Sequence, residues 1–348
     1  MNLSPLPKTK IDWFPIDTRQ SVTRDKKNQS LQTYISHRAM ATDFVIILPN
    51  EDAKQVEVAV DALDQLNTIE AALTIYQGDS EVSRINRLAF QQAVPVSWTT
   101  FRLIERALLW STQTDGAFDI TAGPLVEAWG FTKRQGRKPT RQEIESARKR
   151  VGYRKISIDP ARQTLRFSEP EMSINLGAIG KGYALDRIAA KLRESGVEDF
   201  LLHGGNSSVI AAGNQEPGSN KGWAVGIAHP TKPGHRLAGI WLKDCALGTS
   251  GSGKQFFHHR GRRYGHVIDP RSGYPAGDLQ ALTTLAESAA DADACATALF
   301  VAGSDQTQRW AQQTWFHPTL MVRQTTRQDS SEIGCLGEIP WIENPSKA

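Results

Sequence analysis

Asn175-Leu176-Gly177-Ala178-Ile179-Gly180-Lys181-Gly182-Tyr183-Ala184-Leu185-Asp186 is the stretch on which the reading of this chain depends. The residues from Met172 to Leu176 have the apolar character of a short buried strand. After the glycines, Leu185, Ile188, Ala189 and Leu192 fall at i, i+3, i+4 and i+7, the apolar stripe of an amphipathic helix. The glycines between let backbone come close to a neighbour, because no Cβ intervenes. A helix start at this point offers unpaired N–H groups and a positive dipole end to an anion, and Lys181 adds a full charge. The order strand, glycine turn, helix leaves two readings open: a phosphate or pyrophosphate site, or a helix packed tightly on a sheet.

The flanks supply the fold class. On the N-terminal side, residues 44–48 form a β-branched run, and a helix is expected over 53–73 with Val56, Val60, Leu63, Leu66 and Ile69 on one face. Ile75 to Asn86 reads as a loop and a short helical turn. A second helix starts near Ser97, carries Phe101, Ile104 and Leu108, and stops at Gly116. A basic stretch, 133–141, precedes a third helix ending near Lys149. On the C-terminal side, Phe200-Leu201-Leu202 runs into the tight turn His203-Gly204-Gly205-Asn206. Further strands are expected at 209–212, 223–227, 239–242 and 319–322, with a hairpin formed by 256–259 and 264–268 and a last helix over 289–301. Mixed helices and hairpin-linked strands argue for an α+β fold rather than a doubly wound sheet.

The 348 residues are 39% hydrophobic and 22% charged, enough for a sizeable core in a soluble globular chain. A net charge of +4, with scattered Lys and Arg, argues against nucleic acid as a partner. The 3 cysteines, Cys245, Cys295 and Cys335, are far apart and define neither a metal spacing nor a disulfide framework. The first 33 residues are polar and broken by three prolines, so residues 1–33 are expected as a mobile arm before a folded unit at 34–325 and a C-terminal extension at 326–348. No apolar run is long enough for a signal-peptide core or a membrane span. The chain as written is therefore expected in the cytoplasm, or in the periplasm if an export signal has been removed.

Several patterns need weighing. Gly248-Thr249-Ser250-Gly251-Ser252-Gly253-Lys254-Gln255 nearly spells a P-loop. Gln255 stands where Mg²⁺ would need a hydroxyl, and strand rather than helix follows, so nucleotide hydrolysis is not expected here. Ser250 is either a nucleophile or part of a glycine-rich turn that offers hydroxyls. His258 and His259 are adjacent, point to opposite faces of a strand and make a poor metal pair. The cluster Arg260, Arg262 and Arg263 reads as a solvated hairpin turn. His266 draws attention through its company, Val267-Ile268-Asp269-Pro270.

Asp293 and Thr297 are i and i+4, so a helix places a carboxylate and a hydroxyl on one face. Both are hard oxygen ligands of the kind Mg²⁺ takes while keeping waters and phosphate oxygens. The other reading is a carboxylate near a helix N-terminus beside a buried threonine. The small residues Ala289, Ala290, Ala292, Ala294 and Ala296 are expected to leave room for a ligand.

Taken in order, these pieces resemble the ApbE family, the FAD:protein FMN transferases. The resemblance spans about Tyr34 to Val322. It lies in Met40-Ala41-Thr42, the Ser80-Glu81-Val82-Ser83 to Asn86 segment, Ala117-Phe118-Asp119 with Gly123-Pro124-Leu125, and Leu176 to Tyr183. It continues through Gly204-Gly205, Thr249-Ser250-Gly251, His266-Val267-Ile268-Asp269-Pro270 and Asp293 to Thr297. It implies an ApbE-like α+β fold, FAD as substrate, Mg²⁺ at the pyrophosphate, and transfer of FMN to a Ser or Thr hydroxyl of an acceptor protein with release of AMP. By position it implies FAD contacts at Met40, Tyr76, Ala117, Phe118, Asp119, Asn175, Lys181, Gly204, Gly205, Thr249, Ser250 and His266. It implies a Mg²⁺ shell of Asp293, Thr297 and main-chain oxygens of Ala178 and Ala296.

The chain departs from the family pattern at Ala41, where glycine is usual, at Asn175, where aspartate is frequent, and at Asn206-Ser207-Ser208, where an acidic residue is common. The acceptor hydroxyl must lose its proton, and His266 and Asp293 are both candidates for the base. Water in place of the protein hydroxyl would make the same site a Mg²⁺-dependent FAD pyrophosphatase, and absence of turnover would leave an FAD-binding protein.

Overall fold

Helix starts in this chain are written in short polar side chains. Asp52, Ser80, Ser97, Thr140 and Ser288 each accept a hydrogen bond from a backbone N–H of the first turn that follows. Thr140 and Glu143 form a capping box. The helices are α1 (Ala53–Leu73), α2 (Glu81–Leu88), α3 (Trp98–Gln113), α4 (Gly123–Ala128), α5 (Arg141–Lys149), α6 (Gly180–Glu194), α7 (Ala289–Ala302) and α8 (Ser304–Trp310). The computed structural model describes residues 11–15, 32–50, 52–132, 135–232, 234–253, 255–324 and 331–342.

The strands, in chain order, begin with β1 (Asp12–Pro15), β2 (Thr33–Ala39), β3 (Thr42–Leu48), β4 (Val94–Pro95), β5 (Ile156–Asp159) and β6 (Thr164–Phe167). Next come β7 (Phe200–Gly204), β8 (Ser208–Ala212), β9 (Trp223–Ala228), β10 (Arg236–Leu242) and β11 (Cys245–Gly251). The series ends with β12 (Phe256–His259), β13 (Arg262–Gly265), β14 (Ala281–Ala286), β15 (Thr319–Gln324) and β16 (Ser331–Leu336). Among the described residues the main sheet has nine strands in the order β1-β16-β15-β14-β11-β8-β7-β3-β2, each antiparallel to its neighbours. The α+β expectation holds. No helix among the described residues is long and apolar enough to cross a membrane.

Hydrophobic burial fixes the layers. One face of the sheet packs against α1, α6 and α7 through Leu63, Leu66, Leu185, Ile188, Ala289 and Ala292, and the β9–β10 hairpin covers the other face through Trp223 and Ile240. Helix α7 also turns Cys295 and Leu299 to a second core with α2 and α3. A helix that is apolar and buried on most of its faces, with Asp291, Asp293 and Thr297 as its polar positions, suits that place between two cores. Its alanines are a packing device. A Cβ on Gly182 of α6 would overlap the Ala289 carbonyl, and a Cβ on Gly248 of β11 would overlap Ala292 backbone. Ala289, Ala290, Ala292, Ala294 and Ala296 are all 0% exposed, so the expected ligand space is absent there: α6 and β11 backbone lies against the first three, and the hydrophobic core takes the other two.

Other expectations change as well. Residues 172–176 form no strand. Asn86 takes the place of a neighbouring strand there, accepting from Ile174 N at 2.7 Å and donating to its carbonyl at 3.0 Å. Val60 is 45% exposed, and Ala59 and Ala62 hold the inner face of α1 in its place. The glycine-rich 248–251 stretch is strand β11 rather than a turn, and β12 follows it as expected; Lys254 lies outside the described residues. The second strand of the hairpin spans 262–265 rather than 264–268, and the His266 N–H still bonds to the Gln255 carbonyl just beyond it. The sheet also takes in Asp12–Pro15, from the segment expected as an arm, and Ser331–Leu336, from the expected C-terminal extension. The rest of those two segments, apart from residues beside these strands, falls largely outside the described residues.

Candidate functional site

Helix α6 starts at Ile179 with no cap from its own N-terminal residue. Asp293 of α7 supplies the acceptor instead. Its Oδ2 takes the Gly182 N–H at 2.9 Å, and its two oxygens take the Ser208 hydroxyl at 2.8 and 3.0 Å. Lys181 Nζ stands 3.9 Å away. The carboxyl is buried, and burial pushes its pKa up against the opposing pull of Lys181, Ser208 and Gly182. In return Asp186 of α6 reaches the start of α7, accepting from Ala289 N at 2.7 Å, Ala290 N at 3.0 Å and Ser288 Oγ at 2.7 Å. Burial raises its pKa too. Arg106 brackets Asp291 in the same turn with Nε at 2.6 Å and with Nη2, and Trp110 Nε1 donates to it at 2.8 Å.

This interlock sets where the candidate side chains stand. Thr297 lies one turn beyond Asp293, half-buried, and its hydroxyl makes no hydrogen bond among the described residues. Ala178 sits in the turn that enters α6, and Asn175 Oδ1 accepts the Gly177 N–H at 2.8 Å within that turn. Donors of this kind, one carboxylate, one unpartnered hydroxyl and main-chain carbonyls, are hard oxygens and suit a hydrated Mg²⁺. They do not suit zinc, and among the described residues no group of three or more His, Cys, Asp or Glu could hold a metal.

His266 completes the group. Its main-chain N–H and its Nδ1 both donate to the Gln255 carbonyl, at 3.1 and 3.2 Å. A carbonyl only accepts, so Nδ1 carries the proton and Nε2 keeps the lone pair when the ring is neutral. Burial, and then the Lys181 charge, lowers its pKa, which favours that neutral form.

Two hairpin turns close the other side. Met40 and Ala41, with φ of 50° and 59°, form the two-residue turn between β2 and β3. Gly205 donates to Asp43 O at 2.8 Å, and a Cβ there would stand 2.6 Å from Thr42 Oγ1, so the Gly204-Gly205 turn lies against the first hairpin. Thr249 N donates to Ser207 O at 2.7 Å, which places Thr249 and the buried Ser250 beside this turn. Tyr76 follows α1 with 79% of its surface exposed. Leu73, at the end of α1, touches the place where a Cβ on Gly180 would be, so Tyr76 emerges near the start of α6.

The Ala117 to Asp119 run is placed differently. Asn175 N donates to Ile120 O at 2.8 Å, which brings the run alongside the glycine-rich stretch. Ala117 and Phe118, however, are 1% exposed, and their side chains belong to the core. The Asp119 carboxylate is taken up by Thr121 N at 2.8 Å, Thr121 Oγ1 at 2.6 Å and Tyr153 N at 2.8 Å. A cavity of about 730 Å³ opens between α4 and α5, lined by Glu127, Arg137, Glu143 and Arg150 among others, and holds none of the candidate residues. The candidate residues Lys181 and Asp293 meet at the starts of α6 and α7 instead. Sequence reasoning missed Ser208, Asp186 and Arg106 as supports of that site. Asp186 lay inside the glycine-rich stretch, one turn from Gly182, where a carboxylate facing a second helix could have been considered.

Comparison with known proteins gives the chain its relatives. A family model described as the ApbE family matches residues 38–319. The FAD:protein FMN transferase of Haemophilus influenzae is 31% identical over 266 residues, covering 74% of this chain and 76% of that protein. That of Klebsiella pneumoniae is 29% identical over 311 residues, covering 87% and 88%. Among solved structures, the ApbE protein of Thermotoga maritima superimposes with a TM-score of 0.77 at 31% identity, covering 84% of this chain and 94% of that one. The flavin transferase ApbE from Vibrio cholerae gives 0.75 at 28% identity, covering 88% and 98%.

Proposed function

The chain belongs to the ApbE family, and from that membership we propose that it is an FAD:protein FMN transferase which moves FMN from FAD to a Ser or Thr hydroxyl of an acceptor protein and releases AMP. The acceptor oxygen bonds to the FMN phosphorus, the bond from that phosphorus to the AMP oxygen breaks, and the hydroxyl proton leaves. The charges on both sides of this exchange are phosphate charges, so positioning and neutralisation carry most of the catalysis. The observation that best supports the reading is the meeting of Lys181, Asp293 and His266 at the glycine-rich head of α6. Lys181 and the positive dipole end of α6 face the pyrophosphate, the Gly180 and Gly182 amides being taken by the Leu176 carbonyl and Asp293.

Asp293, Thr297 and main-chain oxygens of Ala178 and Ala296 would hold Mg²⁺, which when bound supplies neutralisation of pyrophosphate charge. Ser208 and Gly182 orient the Asp293 carboxylate through their hydrogen bonds, and its remaining lone pairs would go to the cation rather than to a proton. His266 is thereby the better base: its Nε2 is free of the Gln255 bond, and its lowered pKa keeps it unprotonated at neutral pH. Met40, Tyr76, Gly204-Gly205, Thr249, Ser250 and Asn175 surround the same head and contact the flavin and adenosine parts of FAD.

The test incubates the protein with FAD and a threonine-bearing peptide, with Mg²⁺ or with EDTA, and follows the peptide by mass spectrometry. The expected result is a peptide heavier by one FMN, with AMP in equal amount, only when Mg²⁺ is present. Free FMN and AMP beside an unmodified peptide would make the protein an FAD pyrophosphatase. Intact FAD under all conditions would make it a binding protein.

A further inference from the structure

Strands β12 and β13 form a two-stranded hairpin of their own, with His258 opposite Arg263 and His259 opposite Arg262. Between Phe256 and Gly265 it carries three arginines and two histidines and no carboxylate. His258, His259, Arg260 and Arg262 are exposed. Aromatic rings lie beside these charges. Arg262 lies over Tyr264 at 5.4 Å, Arg263 over Phe256 at 4.0 Å, and Lys138 of the adjoining loop over Tyr264 at 6.0 Å. Among the described residues no carboxylate forms an ion pair with Arg260, Arg262, Arg263 or Lys138. Arg137, close by, is matched by Glu143, so an unmatched cation is not the rule on this face.

The hairpin is joined directly to the chemistry. Strand β13 runs through Gly265 into His266, whose main chain and ring both close on Gln255 at the base of β12. Both strands also have an outer edge that pairs with no strand among the described residues. An open edge offers main-chain donors and acceptors to an added extended segment, and a row of cations beside it favours an acidic one.

We infer that the β12–β13 hairpin is the docking arm for an acidic, extended segment of the acceptor protein that flanks its acceptor hydroxyl. This inference rests on the transferase reading above. A lipid surface of anionic headgroups would meet the cations but not the unpaired strand edge, so a protein segment is the occupant the hairpin fits. His266 sits at one end of the arm, and the segment held along the arm delivers the hydroxyl next to it toward Nε2.

The full chain is tested with two synthetic threonine peptides, one flanked by Asp and Glu and the other by Asn and Gln at the same positions. Binding of the fluorescently labelled peptides is read by anisotropy without FAD, and FMN transfer to each is read separately. The parent is expected to bind the acidic peptide about tenfold more tightly than the amide one, with the advantage fading as salt is raised. The double variant Arg260→Glu/Arg262→Glu is expected to lose that advantage, to raise KM for the acidic peptide by about the same factor, and to leave kcat, FAD affinity and the amide peptide unchanged. Equal binding of both peptides by the parent, or a variant that keeps the preference, would overturn the docking arm. So would loss of binding to phosphatidylglycerol vesicles in the variant with peptide binding intact. If the acidic peptide binds through the arginines but receives no FMN, the transferase reading fails while the docking arm stands.

Discussion

Asp186 and Asp293 hold the starts of each other's helices. Asp186 in α6 accepts the Ala289 and Ala290 amides of α7, and Asp293 in α7 accepts the Gly182 amide of α6. Each helix thereby receives a carboxylate where its dipole favours one. Lys181 and Thr297 belong to different helices, 116 positions apart in the chain as numbered, yet their relative position is set by this exchange. The glycine at 182 makes the exchange possible, because α7 backbone occupies the space where a side chain would begin.

Gly182→Ala is therefore expected to destabilise the fold although the change is a single methyl. The added carbon meets the Ala289 and Ala290 backbone of α7, which cannot swing aside as a side chain can. Overpacking of this kind costs about 1–3 kcal/mol, and a clash with backbone belongs at the upper end. Gly78→Ala is the control, since nothing lies within 4 Å of a Cβ at that position. Thermal melting of the two variants checks this, and equal melting temperatures would remove the tight crossing from the account.

Lys181→Met is expected to weaken FAD binding and to move the acid limb of the pH–rate profile upward. Burial first, and the Lys181 charge second, hold the His266 pKa below 6.5. Removing the charge lets that pKa rise, so the unprotonated ring is lost at a higher pH. Asp293 shifts the same way, since Lys181 opposes the rise that burial causes. A charge-assisted contact to the pyrophosphate contributes about 1.5–3 kcal/mol, or roughly ten- to a hundredfold in affinity. Flavin fluorescence titration and rates across pH 5 to about 8 read both effects. An unchanged acid limb would separate Lys181 from His266.

Tyr76→Ala is expected to lower FAD affinity without lowering stability. A ring with 79% of its surface exposed adds little to the core. Held against a flavin or adenine it would contribute about 0.5–1.5 kcal/mol, roughly three- to tenfold in Kd. The checks are fluorescence titration beside a thermal melt. Unaltered affinity would take Tyr76 out of the site.

Much of this was legible from local chemistry. Asp52, Ser97 and Thr140 announce their helices with side chains that act within a few residues, and α1 begins and ends where the pattern puts it. The meeting of Lys181, His266 and Asp293 followed from motifs in fixed order rather than from any one of them. What escaped is non-local. Residues 172–176 look like a strand, and only the side chain of Asn86, far away in sequence, shows that they pair with no strand. Gly248 in β11 reads as a turn residue until the backbone of α7 is seen lying against it. The alanines of α7 suggested room, and the same small size serves close packing from three sides. Ser208 carries no local pattern at all, since its partner Asp293 is 85 positions away.

Asp293→Asn separates the two roles of this carboxylate. Activity is expected to fall by at least about a hundredfold, because a neutral amide is a weaker ligand for a hard cation and several kcal/mol of charge stabilisation go with it. Stability at pH 7, measured without added metal, is expected to stay level or rise. Burial raises the folded pKa of Asp293 above its ordinary 3.8. The folded state then binds the proton more tightly than the unfolded chain, so the contribution of this group is greatest below the unfolded pKa and is lost as pH rises through the folded one. Ionising the parental carboxyl as pH rises therefore works against the folded state. Asparagine removes the charge, still accepts the Gly182 N–H through Oδ1, and donates from Nδ2 to the Ser208 hydroxyl oxygen. Alanine at the same position leaves both Gly182 N–H and Ser208 without a partner, a loss of about 1–3 kcal/mol for a buried group. The melting temperatures at pH 7 should therefore run Asn at or above parent and parent above Ala, with the gap between Asn and parent closing as pH falls and the parental carboxyl takes up its proton. An Asn variant that melts well below the parent at pH 7 would mean that Lys181 and the head of α6 stabilise the charge more than burial disfavours it, and Asp293 would then be a structural anchor in its ionised form.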